Sequence, residues 1–136
     1  MKSLILILLF PISLQSLQSK DIESIELTLR TRGSSKVIRV SSENTSTEVN
    51  GETKKVKTSD REWKLLLENL KGIELNRLAT YSSKPGKSQV DASYIAQVCI
   101  RTKNESYESS SFDESNPPQQ LRELVAHLSN ILKKQE

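Results

Sequence analysis

The chain has 136 residues, a net charge of +3, 35% apolar residues and only 4% aromatic residues. This length fits one small domain and excludes a multi-domain enzyme, and the low net charge argues against intrinsic disorder. Cys99 is the single cysteine, so no disulfide forms within the chain. A small domain without disulfides depends on its apolar core for stability.

The N-terminus predicts export. Residues 1–19 combine a lysine near the start, an apolar stretch over Leu4–Leu14 and a polar stretch up to Ser19, which is the anatomy of a secretory signal peptide. The apolar stretch is shorter than the ~20 residues that a membrane-spanning helix needs. Cleavage after Gln18 or after Ser19 fits, and a buried N-terminal helix or an uncleaved anchor is the alternative. Residues 20–136 then form a single domain with no transmembrane segment.

Strand patterns dominate the first half of that domain. Residues 22–31 alternate between apolar and polar side chains, and residues 36–42 continue as a second strand. Residues 46–57 contain Asn50-Gly51, the strongest two-residue signal for a β-hairpin. Because this hairpin is polar, we expect it to lie at a sheet edge.

A helix follows the hairpin. Ser59 and Glu62 form a capping box, and the pattern predicts a helix to about Lys71 with Gly72 at its C′ position. Its apolar stripe consists of Trp63, Leu66, Leu67 and Leu70. Leu65 lies on the opposite face.

The second half is predicted to hold two more strands. Residues 73–90 are irregular, with an exposed loop over 82–88. Residues 93–103 are partly apolar on both faces, which is typical of a central strand, and residues 106–112 form the next one.

The last element is a helix over residues 117–133, for which Asn116 is the expected N-cap. The predicted order is therefore β-β-β-β-α-β-β-α. This order favours an α+β fold in which a mainly antiparallel sheet of four to six strands carries two helices on one face.

Few residues indicate chemistry. His127 is the only histidine, and no cysteine cluster accompanies it, so a zinc site is not expected. A small hydrolase would require Asp91, Asp113 or His127 to converge in one cleft. The Asp113–Asn116 segment is read as a structural turn, whose role beyond structure stays open. We therefore predict no catalytic, cofactor-binding or metal-binding residue.

The basic residues are interleaved with acidic ones, and few aromatic side chains are free to stack on bases. Nucleic-acid binding is therefore not expected. Lys54, Lys55 and Lys57 lie in the 46–57 hairpin and are typical of an edge strand that avoids aggregation. Contact with an acidic partner or an anionic surface is the alternative interpretation.

A set of residues in the second half resembles a group of uncharacterised short exported proteins of Bacteroidetes-type bacteria. The resemblance covers roughly residues 60–132 and rests on Trp63, Leu66, Leu70, Ile73-Glu74-Leu75, Leu78, Asp91-Ala92, Tyr107, Phe112-Asp113, Asn116-Pro117-Pro118, Leu121 and Leu124-Val125. It implies a periplasmic or secreted location. It implies no activity and no functional residues.

Three functions remain open at this point. The favoured one is a non-enzymatic binding or accessory module, exported to the periplasm or the medium, that contacts an unknown protein or small molecule through the hairpin 46–57 or the loop 82–90. A structural or assembly component at the cell surface is the alternative. A small hydrolase is the third hypothesis.

Overall fold

The structure, a computed structural model, describes residues 21–83 and 94–136. The predicted signal peptide, most of the predicted loop 82–88 and Asp91 lie outside the described residues. Within the described part of the chain, no helix is long and apolar enough to cross a membrane.

The domain is α+β, as the sequence predicts. Its strands are β1 (Ile22–Thr31), β2 (Ser34–Ser41), β3 (Asn44–Val49), β4 (Glu52–Lys57), β5 (Ile95–Thr102), β6 (Ser106–Glu108) and β7 (Phe112–Asp113). They form one antiparallel sheet in the order β4-β3-β2-β1-β5-β6, and the two-residue β7 also pairs with β5. The helices are α1 (Asp60–Asn69) and α2 (Arg122–Gln135), and short 3₁₀ helices span Leu75–Thr80 and Gln119–Leu121.

The first four strands form a meander joined by tight turns. Asn50 (φ 51°) and Gly51 (φ 89°) both adopt the left-handed conformation that a type I′ turn requires. The Asn50 side-chain oxygen accepts a hydrogen bond from the backbone N–H of Ser35 at 3.0 Å. This bond ties the β3–β4 turn to β2. The predicted hairpin and its position at the sheet edge are both confirmed.

The chain then crosses the sheet. After β4 it forms α1, and it returns as β5 on the far side of β1. The predicted central position of the 93–103 strand is confirmed, since β5 lies between β1 and β6. This crossover places α1 and α2 against the same face of the sheet, where they contact one another.

The core lies between that face and the two helices. Its β residues come from alternating positions: Ile25, Leu27, Leu29, Ile38, Val40, Ala96, Val98 and Ile100. The helices contribute Leu66, Leu124, Val125, Leu128, Ile131 and Leu132. Because one face of β1, β2 and β5 enters this layer, the alternation of apolar and polar residues in these strands corresponds to the alternation of buried and exposed side chains.

The predicted boundaries of three elements differ from the structure. The predicted strand 106–112 is interrupted at Ser109, whose hydroxyl accepts the N–H of Val98 and whose own N–H donates to the Val98 carbonyl, both at 2.9 Å or less. Helix α1 ends at Asn69, and Gly72 does not adopt a left-handed conformation.

The last helix also starts later than predicted. A 3₁₀ turn at Gln119–Leu121 precedes α2, and neither has a side-chain cap, so Asn116 is not the N-cap. Pro118 is fully buried at the entry to this turn. The helical segment therefore begins at a buried proline and not at a capping side chain.

Candidate functional site

A groove of about 870 Å³ lies beside the C-terminal half of α1. The residues that line it come from the first strand, from α1 and from the segment after α1: Ile22, Lys64, Leu67, Glu68, Leu70, Lys71, Ile73, Glu74, Leu75, Asn76 and Arg77. Its volume falls within the ~300–1,000 Å³ that is usual for small-molecule sites.

The floor of the groove is continuous with the apolar core. Leu70, Ile73 and Leu75 belong to the core cluster, and Ile22 and Leu67 are partly buried against it. All five side chains are aliphatic. The floor therefore offers hydrophobic contact without an aromatic surface on which a planar ring would stack.

Local hydrogen bonds hold the wall of the groove in place. The end of α1 tightens into a turn in which the Ile73 N–H donates to the Leu70 carbonyl at 3.0 Å. The Glu74 N–H donates to the Tyr81 hydroxyl at 2.9 Å, and the Arg77 N–H donates to the Glu74 carbonyl at 2.9 Å. These bonds tie both ends of the Leu75–Thr80 turn to one another, so the groove is formed before any ligand arrives.

The rim of the groove carries charges of both signs. Glu74 and Arg77 form an exposed ion pair with an N–O distance of 3.3 Å. Lys64, Glu68 and Lys71 line the same rim and form no ion pair with any residue in 21–83 or 94–136. The rim charges that remain outside ion pairs therefore sum to +1.

His127 does not line this groove. It lies on α2 against α1, where its Nδ1 is 2.9 Å from the Asn69 amide nitrogen and its Nε2 is 3.2 Å from Glu62 Oε1. With the Asn69 amide donating to Nδ1, the neutral ring carries its proton on Nε2 and donates it to Glu62. His127 thus joins the two helices, and the Glu62 side chain bonds His127 instead of completing the predicted capping box with the Ser59 N–H.

The Asp113–Asn116 segment is a turn. Asp113 Oδ1 accepts hydrogen bonds from the N–H of Ser115 at 2.9 Å and from its hydroxyl at 2.7 Å, and the Asn116 N–H donates to the Asp113 carbonyl. This geometry is that of an Asx turn. Asp113 lies on β7 beside β5, whereas His127 lies between the helices.

Several basic side chains have identifiable partners. The Arg39 Nε donates to Glu26 at 2.7 Å across β1 and β2. The Lys36 ammonium contacts Glu136 at 2.6 Å and lies 5.4 Å from the centroid of the Tyr94 ring. The hydrogen bond that the Lys36 ammonium donates to the Glu136 carboxylate raises the pKa of Lys36 above its ordinary value.

The sequence alone does not predict the groove. The missing information is tertiary, because Ile22 lies more than 40 positions before Leu67 in the chain. The residue in the sequence that relates to the groove is Leu67, which belongs to the apolar stripe predicted for α1. In the structure this side chain is only half-buried, because it forms part of the groove floor.

Comparison with known proteins finds no matching family, no similar curated sequence and no similar solved structure. The geometry of the described residues is therefore the basis for a functional proposal.

Proposed function

We propose that the protein is a small exported, non-enzymatic binding module that holds an anionic amphiphile, a single aliphatic chain with an acidic head group, in the groove beside α1. The observation that carries this proposal is the combination of a preformed aliphatic floor with a rim of net positive charge.

The floor selects the aliphatic part of such a ligand. Burial of each CH₂ group contributes about 0.8 kcal/mol, and the leucine and isoleucine side chains at the floor supply the apolar contacts. Shortening the ligand by two CH₂ groups should therefore weaken binding roughly tenfold. This dependence on chain length distinguishes insertion into the groove from adsorption by charge alone.

The rim selects the head group. Lys64 lies one helical turn before Glu68 on α1, and Lys71 lies three residues after Glu68 in the turn that follows α1. An acidic head group placed between the two lysines gains two favourable contacts and one unfavourable contact. A cationic head group would gain one favourable contact with Glu68 and two unfavourable contacts with the lysines. The groove should therefore bind anionic head groups more tightly than cationic ones.

The test uses the protein recovered from envelope or culture-medium fractions of cells that express the full chain. Its mass should correspond to a chain that begins at residue 19 or 20, whereas retention of residues 1–18 in that fraction contradicts cleavage. Dodecanoate below its critical micelle concentration is then titrated into the protein by calorimetry. Decanoate and dodecyltrimethylammonium are compared with it.

A matched pair of variants locates the site. Leu67→Arg places a charged side chain over the groove floor and should weaken dodecanoate binding at least tenfold. Leu65→Arg makes the same change on the same helix at a residue that is 41% exposed and lies outside the lining, so it should bind as the wild type does.

The charge-reversed double variant Lys64→Glu/Lys71→Glu provides a second measurement that leaves the floor intact. It should reverse the preference between dodecanoate and the cationic amphiphile. Equal binding by the two leucine variants, or equal affinity for both head groups in the wild type, contradicts the proposal.

A further inference from the structure

Strand β4 is an open edge of the sheet. All six of its residues, Glu52–Lys57, are exposed, and no described strand lies on its outer side. An edge of this kind presents free backbone N–H and C=O groups to which another extended chain can add.

The register of the hairpin identifies which backbone groups are free. In a hairpin with a two-residue turn, the residues that flank the turn, here Val49 and Glu52, exchange backbone hydrogen bonds, and such pairs alternate along the ladder. The hydrogen bond from the Thr58 N–H to the Glu43 carbonyl continues this alternation, because Thr58 lies an even number of residues after Glu52. The N–H and C=O groups of Thr53, Lys55 and Lys57 therefore point away from β3.

The side chains of this edge carry an uneven charge. The acidic residues of the hairpin, Glu48 and Glu52, lie near its turn, whereas three lysines lie toward the other end. Lys54 faces the helices and donates to the carbonyl of Gln135 at 3.1 Å. Lys55 and Lys57 lie on the opposite face of the sheet and form no ion pair with any described residue.

The lysines disfavour a second copy of the chain as the occupant. The two antiparallel registers that pair most of β4 with itself place Lys55 opposite Lys55, or Lys54 opposite Lys54, of the other copy. Like charges directly opposite one another destabilise a strand pair. An acidic strand meets no such penalty.

We propose that the β4 edge docks an extended acidic segment of a partner protein, which adds to the sheet as a further strand. Acidic residues at alternate positions of that segment lie opposite Lys55 and Lys57. The residue between them faces Val56, which is 40% exposed, and is therefore apolar. The recognised pattern is acidic–apolar–acidic in an extended conformation.

The test is a titration of the isotopically labelled protein with acetylated, amidated hexapeptides, followed by the shifts of its backbone amide signals. The peptide Thr-Glu-Val-Glu-Val-Thr should shift the signals of β4 and slow hydrogen exchange at Thr53, Lys55 and Lys57. The matched peptide with lysine in place of glutamate should bind at least tenfold more weakly. N-methylation of the edge-facing amides of the acidic peptide should also weaken binding at least tenfold, because it removes ladder hydrogen bonds without changing charge.

A pair of charge-matched variants separates the edge from general electrostatics. Lys55→Glu/Lys57→Glu should reverse the preference between the two peptides. Arg101→Glu/Lys103→Glu makes the same change of charge at exposed residues near the other side of the sheet and should keep the wild-type preference.

Three outcomes overturn the proposal: binding that N-methylation does not weaken, shifts centred on α1 rather than β4, or equal losses in the two double variants. The peptide series on the wild-type protein decides the matter even if a variant folds poorly. Failure of dodecanoate to bind the groove leaves this test unaffected, since the two surfaces share no residue.

Discussion

The hydrogen bond between Thr45 and Thr58 predicts an unusual pattern of mutational costs. The two hydroxyl oxygens are 2.8 Å apart, and both residues are only 4% exposed. This contact lies where β4 passes into α1, directly before the N-cap Ser59, so it helps to set the position at which α1 begins. Replacing one threonine by valine keeps the shape of the side chain but leaves the other hydroxyl buried without this partner.

The expected magnitude follows from that loss. A buried polar group without a partner costs about 1–3 kcal/mol, whereas replacing both partners by apolar groups of the same shape is nearly neutral. We therefore expect Thr45→Val or Thr58→Val alone to lower the free energy of unfolding by about 1–3 kcal/mol. The double variant should lose less than either single variant, because neither hydroxyl is then left buried without a partner.

Urea denaturation followed by far-ultraviolet circular dichroism measures these free energies, with the slope of the unfolding transition serving as a check that the native state is unchanged. The interaction energy between the two substitutions should be favourable and at least about 1 kcal/mol. Additive costs in the double variant would refute the reasoning, since they would mean that the two hydroxyls do not depend on each other in the folded state.

Two further predictions concern the core and the C-terminus. Leu66 is fully buried whereas Leu65 is 41% exposed. Leu66→Ala should therefore lower the free energy of unfolding, measured by urea denaturation, by about 2–5 kcal/mol, and Leu65→Ala should lower it by less than about 0.5 kcal/mol. Similar losses in the two variants would contradict the orientation of α1. The pKa of Lys36 is raised in the folded state by its hydrogen bond to Glu136, so the stability from this pair is present below pH 10.5 and is lost as the pH rises above it. Lys36→Gln should therefore lower the free energy of unfolding by up to about 1 kcal/mol at neutral pH. If this difference in unfolding free energy between the variant and the wild type persists undiminished above the folded-state pKa of Lys36, it would count against this ion pair.

Local chemistry explains which elements the sequence predicts correctly. Asn50-Gly51 specifies a turn by itself, because few other residues adopt positive φ at both positions. Ser59 caps α1 as predicted, accepting the Glu62 N–H at 3.1 Å. The alternation along Ile22–Thr31 reports a strand with one buried face. Each of these features depends on residues within a short stretch of the chain. It can therefore be predicted without knowledge of the rest of the fold.

The end points of elements depend on longer-range partners. The strand after β5 breaks at Ser109 because a hydroxyl there takes the place of a backbone group opposite Val98. The helical segment before α2 begins at Pro118, which is buried and has no capping side chain. Neither effect is visible in a window of a few residues, since serine and proline are equally compatible with an ordinary turn.

The candidate site is the part least accessible from sequence. The polar character of the hairpin predicts a position at a sheet edge, but only the strand order shows that β4 is the outer strand and that Thr53, Lys55 and Lys57 present their backbone groups outward. The groove exists only because the start of β1 meets the end of α1.

The sequence by itself determined the α+β class, the order of strands and helices along the chain and the side chains that alternate into the core. These features follow from periodicity and from turn and cap chemistry. Tertiary structure decided the order of the strands across the sheet, the pairing of His127 with Glu62 and Asn69, and the shape of both candidate binding surfaces. The physical reason is that a surface is defined by groups left uncovered after packing. Which groups remain uncovered depends on contacts between residues far apart in the chain.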